Sequence, residues 1–175
     1  MPNYRRMWVP GGTFAFTVCL KARGDRTLVE HIGALRHAWR ETELARPFET
    51  LAVCVLPDHL HAVWKLPEGA ADYPGRWRSL KRRFTNAIGH AVWQKRYWEH
   101  TVRDQNELGD CIDYVHGNPV KHGLVAERDG WPYSSWHRFR RENGLQVDGA
   151  SRPSSISGCR PPYAFRSARV HRPAL

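Results

Sequence analysis

The sequence predicts an α+β fold in which an antiparallel sheet carries two helices on one face. Short runs rich in β-branched and aromatic residues alternate with segments of helical spacing, in the order strand, helix, strand, strand, helix, strand. The chain has 175 residues, of which 41% are hydrophobic and eight are Trp, enough for one sizeable core. This order of elements is typical of a ferredoxin-like sandwich.

The first half of the chain supplies three strands and one helix. Residues 13–20 follow a Gly-Gly breaker and predict the first strand, and the apolar positions of residues 27–45 have near-helical spacing. Residues 48–56 and 59–66 predict two strands that form a hairpin across the turn at Pro57. On the third strand the even-numbered positions are apolar and belong to the core, whereas His59 and His61 share the opposite face.

The second half supplies another helix, a strand and an additional helix. An apolar stripe over 77–91 predicts the second helix, and an aromatic segment at 93–100 predicts the fourth strand. A capping-box pattern at Asp104 opens a helix that we expect to end near Asn118, because proline follows. This helix is extra to the ferredoxin-like core, and we expect it to dock on the face of the sheet that bears the histidines.

The last part of the chain differs in composition from the rest. The segment from Trp131 to Trp136 is expected to pack back on the domain, so that the domain spans residues 1–144. Apolar content then falls, and residues 145–175 become rich in Gly, Ser, Pro and Arg. We predict that this stretch is a basic, largely disordered tail.

The charge of the chain predicts a polyanionic partner. It contains 27 Lys plus Arg against 17 Asp plus Glu, a formal net charge of +10, and nucleic acid is the first candidate. No apolar run is long enough to span a bilayer, so no membrane partner is expected. The four cysteines form no C-x-x-C pair, which favours a cytoplasmic protein.

Two short motifs carry the chemistry. His59 and His61, two apart on a strand, point their rings the same way and suit a divalent metal, although a pair of half-exposed surface histidines gives the same pattern. Tyr114 and Asn118, four apart on a helix, present a hydroxyl and an amide at one edge of its apolar face. Together they indicate a metal-assisted tyrosine nucleophile that acts on a phosphodiester.

The motifs occur in an ordered set from Tyr4 to about Trp136. The set comprises residues 4–6, 11–14, 56–61, 98–100, 103–108 and 113–125. In these segments the chain resembles the REP-associated tyrosine transposases, which are single-tyrosine members of the HUH endonuclease superfamily. The resemblance covers about three-quarters of the chain and leaves out the tail from 145.

The resemblance implies a role for each matching position. His59, His61 and Asn118 would hold Mg²⁺ or Mn²⁺, and two imidazoles favour Mn²⁺. Tyr114 would be the nucleophile of a single-stranded DNA endonuclease and strand transferase that forms a 5′-phosphotyrosine. The base that assists it stays open among His116, His122 and Lys121.

The resemblance also implies the partner, which is single-stranded DNA with palindromic repeat hairpins, bound in the bacterial cytoplasm at the nucleoid. The predicted DNA contacts are Arg5, Arg6, Arg76, Arg78, Lys81, Arg82, Arg83, Lys121 and His122. Two other functions stay open: a non-catalytic module that binds single-stranded nucleic acid on a ferredoxin-like sheet, and a relaxase-like nickase. The sequence does not decide between a monomer and a homodimer, or between active sites built from one chain and from two.

Overall fold

A computed structural model describes residues 8–144 as a four-stranded antiparallel sheet covered by helices on both faces. The strands are β1 (Thr13–Cys19), β2 (Glu49–Val55), β3 (His59–Lys65) and β4 (Trp98–Val102). Their order in the sheet is β2-β3-β1-β4, and all three neighbouring pairs are antiparallel. The predicted α+β, ferredoxin-like fold is therefore confirmed. Arg5, Arg6 and the predicted tail at 145–175 lie outside the described residues.

Five α-helices and one 3-10 turn occur in residues 8–144. The α-helices are α1 (Thr27–Glu30), α2 (Ile32–Ala45), α3 (Tyr73–Ile88), α4 (Gln105–Lys121) and α5 (Trp136–Glu142), and the 3-10 turn is Arg128–Gly130. None of the helices in the described part of the chain combines the length and the apolar character needed to cross a bilayer.

One face of the sheet packs on α2 and α3 and forms the larger core. The apolar positions predicted on β3 lie here, and Trp64 stacks on Trp77 of α3 with ring centroids 4.1 Å apart and planes 12° apart. Phe16 of β1 meets the rings of both tryptophans edge-on or nearly so. Burial of these large rings, with the aliphatic residues around them, supplies the main apolar contribution to stability.

The opposite face, which bears the histidines, is covered by α4. Cys111 and Val115 of α4 are buried against Ala52 and Val63 of the sheet in a second, smaller core. The expectation that the additional helix docks on this face is confirmed. Its position brings the tyrosine motif over the strand that carries the imidazoles.

Helix α3 begins four residues earlier than the apolar stripe predicts. The Asp72 carboxylate accepts a hydrogen bond from the backbone N–H of Gly75, and Pro74 occupies the first turn. An acidic N-cap followed by proline is a standard helix start, so the signal was present in the sequence. The single helix predicted over 27–45 is instead two helices separated at His31.

The prediction that the helix opened at Asp104 ends near Asn118 is wrong, because α4 continues through Pro119 to Lys121. Proline has no N–H to donate to the carbonyl of Val115, so one helical hydrogen bond is lost. The loss falls in the final turn, and the His122 N–H still bonds the Asn118 carbonyl. The fourth strand, predicted over 93–100, instead runs from Trp98 to Val102. Trp93 forms only an isolated bridge, to Leu20 just after β1.

The segment at 131–136 packs back on the domain as expected. The Val55 N–H donates to the Tyr133 carbonyl, and the Ser135 N–H donates to the Val53 carbonyl. These bonds cover the outer edge of β2, which would otherwise expose unpaired backbone groups.

Candidate active site

Strand β3 places the two histidines of the H-x-H motif on the face covered by α4. Their ring centroids are 5.0 Å apart, and both residues are buried, with exposed fractions of 2% for His59 and 3% for His61. A half-exposed surface pair, the alternative left open by the sequence, does not describe them. Two buried polar rings side by side need partners that compensate for their lost hydration.

Each imidazole is held at its Nδ1 atom. His59 Nδ1 lies 2.6 Å from a carboxylate oxygen of Asp58, so it donates to that oxygen. His61 Nδ1 lies 2.9 Å from the hydroxyl of Thr17 on β1. Within residues 8–144 the buried Nε2 of His61 has no hydrogen-bond partner. Fixing Nδ1 in this way orients the ring and leaves Nε2 as the donor atom for a metal.

Asp58 is itself well anchored. Its second carboxylate oxygen accepts from the backbone N–H of Gly24 at 2.9 Å. Burial alone would raise the pKa of Asp58, but the hydrogen bonds from His59 and Gly24 lower it, so the carboxylate stays ionised. The aspartate of the Pro-Asp turn thus has a second role, since it orients the first histidine of the motif.

A third imidazole joins the pair. The ligand atoms of His59, His61 and His122 all lie within 4.8 Å of one another, and the rings of His59 and His122 have centroids 5.1 Å apart. The sequence placed His122 among DNA contacts and possible bases and missed its place in this cluster. A signal existed, because His122 lies four residues after Asn118, the distance that puts two side chains on one side of a helix.

Burial favours the neutral form of two of these imidazoles, His61 and His122. It lowers the pKa of His61 well below the usual range, and the neighbouring His59 lowers it further. Burial and the nearby His59 and Lys121 likewise lower the pKa of His122 to about 4. Neutral imidazole is the form that ligates a metal. The burial that removes water from these rings therefore also favours metal binding.

Tyr114 of α4 lies directly against this cluster. Its ring meets the ring of His61 edge-on, with centroids 5.4 Å apart and planes 82° apart. The ammonium of Lys121 lies 4.7 Å from the centroid of the Tyr114 ring. Residues that are more than fifty positions apart in the sequence therefore converge, as the two motifs predicted.

Asn118 is fully buried one turn after Tyr114. Its Nδ2 donates to the Tyr114 carbonyl, while its Oδ1 has no hydrogen-bond partner in the part of the chain that the structure describes. An amide oxygen that is buried without a partner is costly unless something else binds it. A cation would compensate for that cost, so the residue fits the predicted ligand role.

His116, one of the three candidate bases, faces away from the site. Its Nε2 lies 2.9 Å from the hydroxyl of Ser135, and its ring packs against Trp136 and Phe139 of α5. Burial lowers its pKa to about 3. His116 thus connects α4 with Ser135 and α5. His122 and Lys121 remain the candidate bases near the phenol of Tyr114.

Comparison with known proteins decides the family. No family model matches the chain. A REP-associated tyrosine transposase of Escherichia coli (strain K12) is 45% identical over 158 residues, which are 90% of this chain and 96% of that protein. The chain belongs to the REP-associated tyrosine transposases.

Two further relatives support this membership. A transposase of Haemophilus influenzae (strain ATCC 51907 / DSM 11121 / KW20 / Rd) that carries the same family name is 40% identical over 153 residues, 79% of this chain and 87% of its own length. A solved REP-associated tyrosine transposase bound to a REP hairpin has a TM-score of 0.85 and 41% identity, and the match covers 90% of this chain and 96% of that one. The resemblance on which the sequence analysis relied is confirmed.

The basic residues predicted to contact DNA lie in different environments in this transposase. Arg76 is buried, and its guanidinium donates to the carbonyls of Pro47 and Asp72. Lys81 donates to the Gln94 carbonyl, and burial lowers its pKa to about 8. These two side chains thus bond backbone carbonyls of the chain itself, and their contact with DNA stays a prediction.

The remaining arginines of α3 are more accessible. Arg78 and Arg82 are exposed and Arg83 is half-buried. All three belong to a helix on the sheet face opposite α4, so the sheet separates them from Tyr114. Lys121 and His122 are the predicted contacts that lie at the candidate active site.

Proposed function

We propose that the chain cleaves and rejoins single-stranded DNA at palindromic repeat hairpins, with Tyr114 as the nucleophile. The observation that carries the proposal is the edge contact between the rings of Tyr114 and His61, beside three imidazoles, two buried and one half-buried, that can hold a cation. The hairpin substrate is supported by the related transposase whose structure is bound to a REP hairpin. Since one chain supplies both the imidazoles and the tyrosine, we propose an active site built from a single chain.

In this proposal the Tyr114 hydroxyl oxygen attacks the scissile phosphorus, and the bond from phosphorus to the 3′-oxygen breaks. The phenolic proton passes to a base, for which His122 and Lys121 are the candidates near the ring, and the departing 3′-oxygen takes up a proton. The products are a 5′-phosphotyrosine and a free 3′-hydroxyl. One phosphate ester replaces another, so the same 3′-hydroxyl or that of a second strand can reverse the step without a nucleotide cofactor.

The residues around the tyrosine fit a divalent metal. His59 and His61 would hold it with His122, because the ligand atoms of these three histidines lie within 4.8 Å of one another. Asn118 would be a further donor, because its Oδ1, like the Nε2 of His61, is buried without a partner in the described chain. A metal bound there would polarise the phosphate and would offset charge that develops on it. Of Mg²⁺ and Mn²⁺, a set of imidazole donors favours Mn²⁺.

The alternative of a non-catalytic binding module has less support. A nucleic-acid-binding module of the ferredoxin type uses an open sheet face, whereas α4 packs on β2 and β3 and covers much of that face here.

The predicted DNA contacts Arg78 and Arg82 are exposed on α3, on the sheet face opposite α4. We propose that they bind phosphates of the hairpin that lie away from the cleaved bond.

The proposal predicts cleavage of one defined bond. A 5′-labelled single-stranded oligonucleotide that carries a palindromic hairpin and a short flank should yield one shorter labelled product with Mn²⁺ present. A matched oligonucleotide whose palindrome is scrambled should remain intact. Denaturing gel electrophoresis reads out both, and equal cleavage of the two strands would contradict recognition of the hairpin.

The structure also predicts that His122 contributes to metal binding, in addition to the three residues implied by the resemblance. Outer-shell partners of a metal typically account for about 10- to 100-fold in affinity, so loss of a ligand should cost at least about 100-fold. We expect His122→Ala and Asn118→Ala each to weaken Mn²⁺ binding by this factor in isothermal titration. His37→Ala, on the exposed surface of α2, is the control. Unchanged Mn²⁺ affinity in His122→Ala would return this residue to the role of base or DNA contact.

A further inference from the structure

The same sheet face carries an aromatic residue close to the candidate active site that the proposed chemistry does not use. On β1, Thr17 pairs with His61 of β3 on one side and with Trp98 of β4 on the other. Residues directly opposite one another in antiparallel strands point to the same face. Since neighbouring strands are about 4.8 Å apart, the backbone of Trp98 lies about 10 Å from that of His61.

Neighbouring side chains hold the ring of Trp98 in place. Its ring is stacked parallel to that of His100, with centroids 5.8 Å apart and planes 6° apart. The Nε2 of His100 lies 2.7 Å from a carboxylate oxygen of Glu107, in the first turn of α4. The other oxygen of this carboxylate accepts from the backbone N–H of Arg103 at 2.7 Å. The stacked pair is therefore tied to the start of the helix that carries Tyr114.

The pair is also accessible. Trp98 packs at the edge of the smaller core and is only partly buried, and His100 keeps 19% of its side chain exposed. Lys95 and Arg96, three and two residues before Trp98, are exposed. An accessible ring held in a fixed plane, with exposed cationic residues close to it in sequence, has the composition of a single-strand binding surface, where bases stack and phosphates pair with cations.

We propose that Trp98 is the stacking platform for a nucleobase next to the scissile phosphate, a positioning role that rests on the proposed DNA cleavage. A base stacked there would place the DNA backbone over the cross-strand row of Trp98, Thr17 and His61. A phosphate of that backbone would then lie next to Tyr114. His100 and Glu107 act through Trp98, because they fix the plane of its ring before DNA binds.

The test combines the variant Trp98→Leu with abasic substitution in the oligonucleotide, in the full chain. Each nucleotide of the single-stranded flank is replaced in turn by an abasic one, and affinity is measured by fluorescence anisotropy. In the wild type we expect one abasic position to weaken binding at least about fivefold. In Trp98→Leu, normal DNA should bind at least about fivefold more weakly, and the abasic substitution at that position should have no further effect.

Trp131→Leu is the matched control. Trp131 is a partly buried tryptophan of the same smaller core, and its indole N–H donates to the Val55 carbonyl at the β2 edge. This variant should lose stability but keep the abasic sensitivity of the wild type. Trp98→Leu with unchanged abasic sensitivity at every position would overturn the proposal.

A second measurement covers the case in which Trp98→Leu fails to fold. The unsubstituted chain is irradiated on oligonucleotides that carry 5-iodouracil at each flank position, and the cross-linked peptide is identified by mass spectrometry. We expect a cross-link to Trp98 at the position found by the abasic series. Cross-links confined to other residues would overturn the stacking role while leaving the DNA function intact, and complete failure to bind hairpin DNA would overturn both.

Discussion

Replacing Tyr114 by phenylalanine is expected to abolish the covalent protein–DNA adduct while leaving hairpin binding nearly unchanged. The substitution removes the hydroxyl and keeps the ring, including its edge contact with His61. Removal of a nucleophile costs enzymes about 10⁴-fold or more in rate, so no adduct should be visible on a denaturing gel with labelled oligonucleotide. Affinity for the hairpin should change by no more than about two- to threefold, as for a substitution without loss of packing.

Tyr97→Phe is the matched control for this prediction. Tyr97 lies just before β4, and its ring packs against Phe16 and Trp77 on the larger core, on the other side of the sheet from the imidazoles. This variant should form the adduct at a rate close to that of the wild type. Persistence of the adduct in Tyr114→Phe, together with its loss in Tyr97→Phe, would transfer the nucleophilic role to Tyr97.

Loss of a central imidazole is expected to have an effect of similar size. In the described chain the Nε2 of His61 is buried without a partner, and the Thr17 hydroxyl holds Nδ1, so His61→Ala removes an oriented metal ligand from the centre of the cluster. We expect this variant to bind hairpin DNA but to show no detectable cleavage with Mg²⁺ or Mn²⁺. In the wild type, EDTA should stop cleavage and added Mn²⁺ should restore it.

His37→Ala is again the control, because it removes an exposed imidazole far from the cluster in sequence and leaves the three clustered ones in place. It should cleave at the wild-type rate and respond to EDTA in the same way. Cleavage that continues in the wild type after exhaustive chelation would exclude the imidazole cluster from the chemistry as a metal site.

Much of the fold could be predicted because local patterns and tertiary packing agree. The alternation on β3 assigned Trp64 to the core and His61 to the opposite face, and both lie where the pattern put them. Helix boundaries were less predictable, because they depend on single capping interactions. The start of α3 follows from the Asp72 cap, and the passage of α4 through Pro119 is possible because only its last turn loses a hydrogen bond.

The site was predictable where its residues form short motifs and unpredictable where contacts arise across the fold. His59, His61 and Tyr114 belong to such motifs, and they meet in the structure. The burial of Arg76 against the Pro47 carbonyl depends on how the loop before β2 approaches α3, which charge pattern alone does not reveal. The place of His122 in the cluster depends on α4 passing the proline that the sequence suggested would end it.

The central claim is that Tyr114 forms the covalent bond to the DNA. The most direct measurement is tryptic digestion of the covalent adduct, followed by mass spectrometry to find which tyrosine carries the nucleotide. The account predicts a phosphodiester-linked nucleotide on the peptide that contains Tyr114 and on no other peptide. A nucleotide found on Tyr97, or on any other tyrosine while Tyr114 is unmodified, would contradict it.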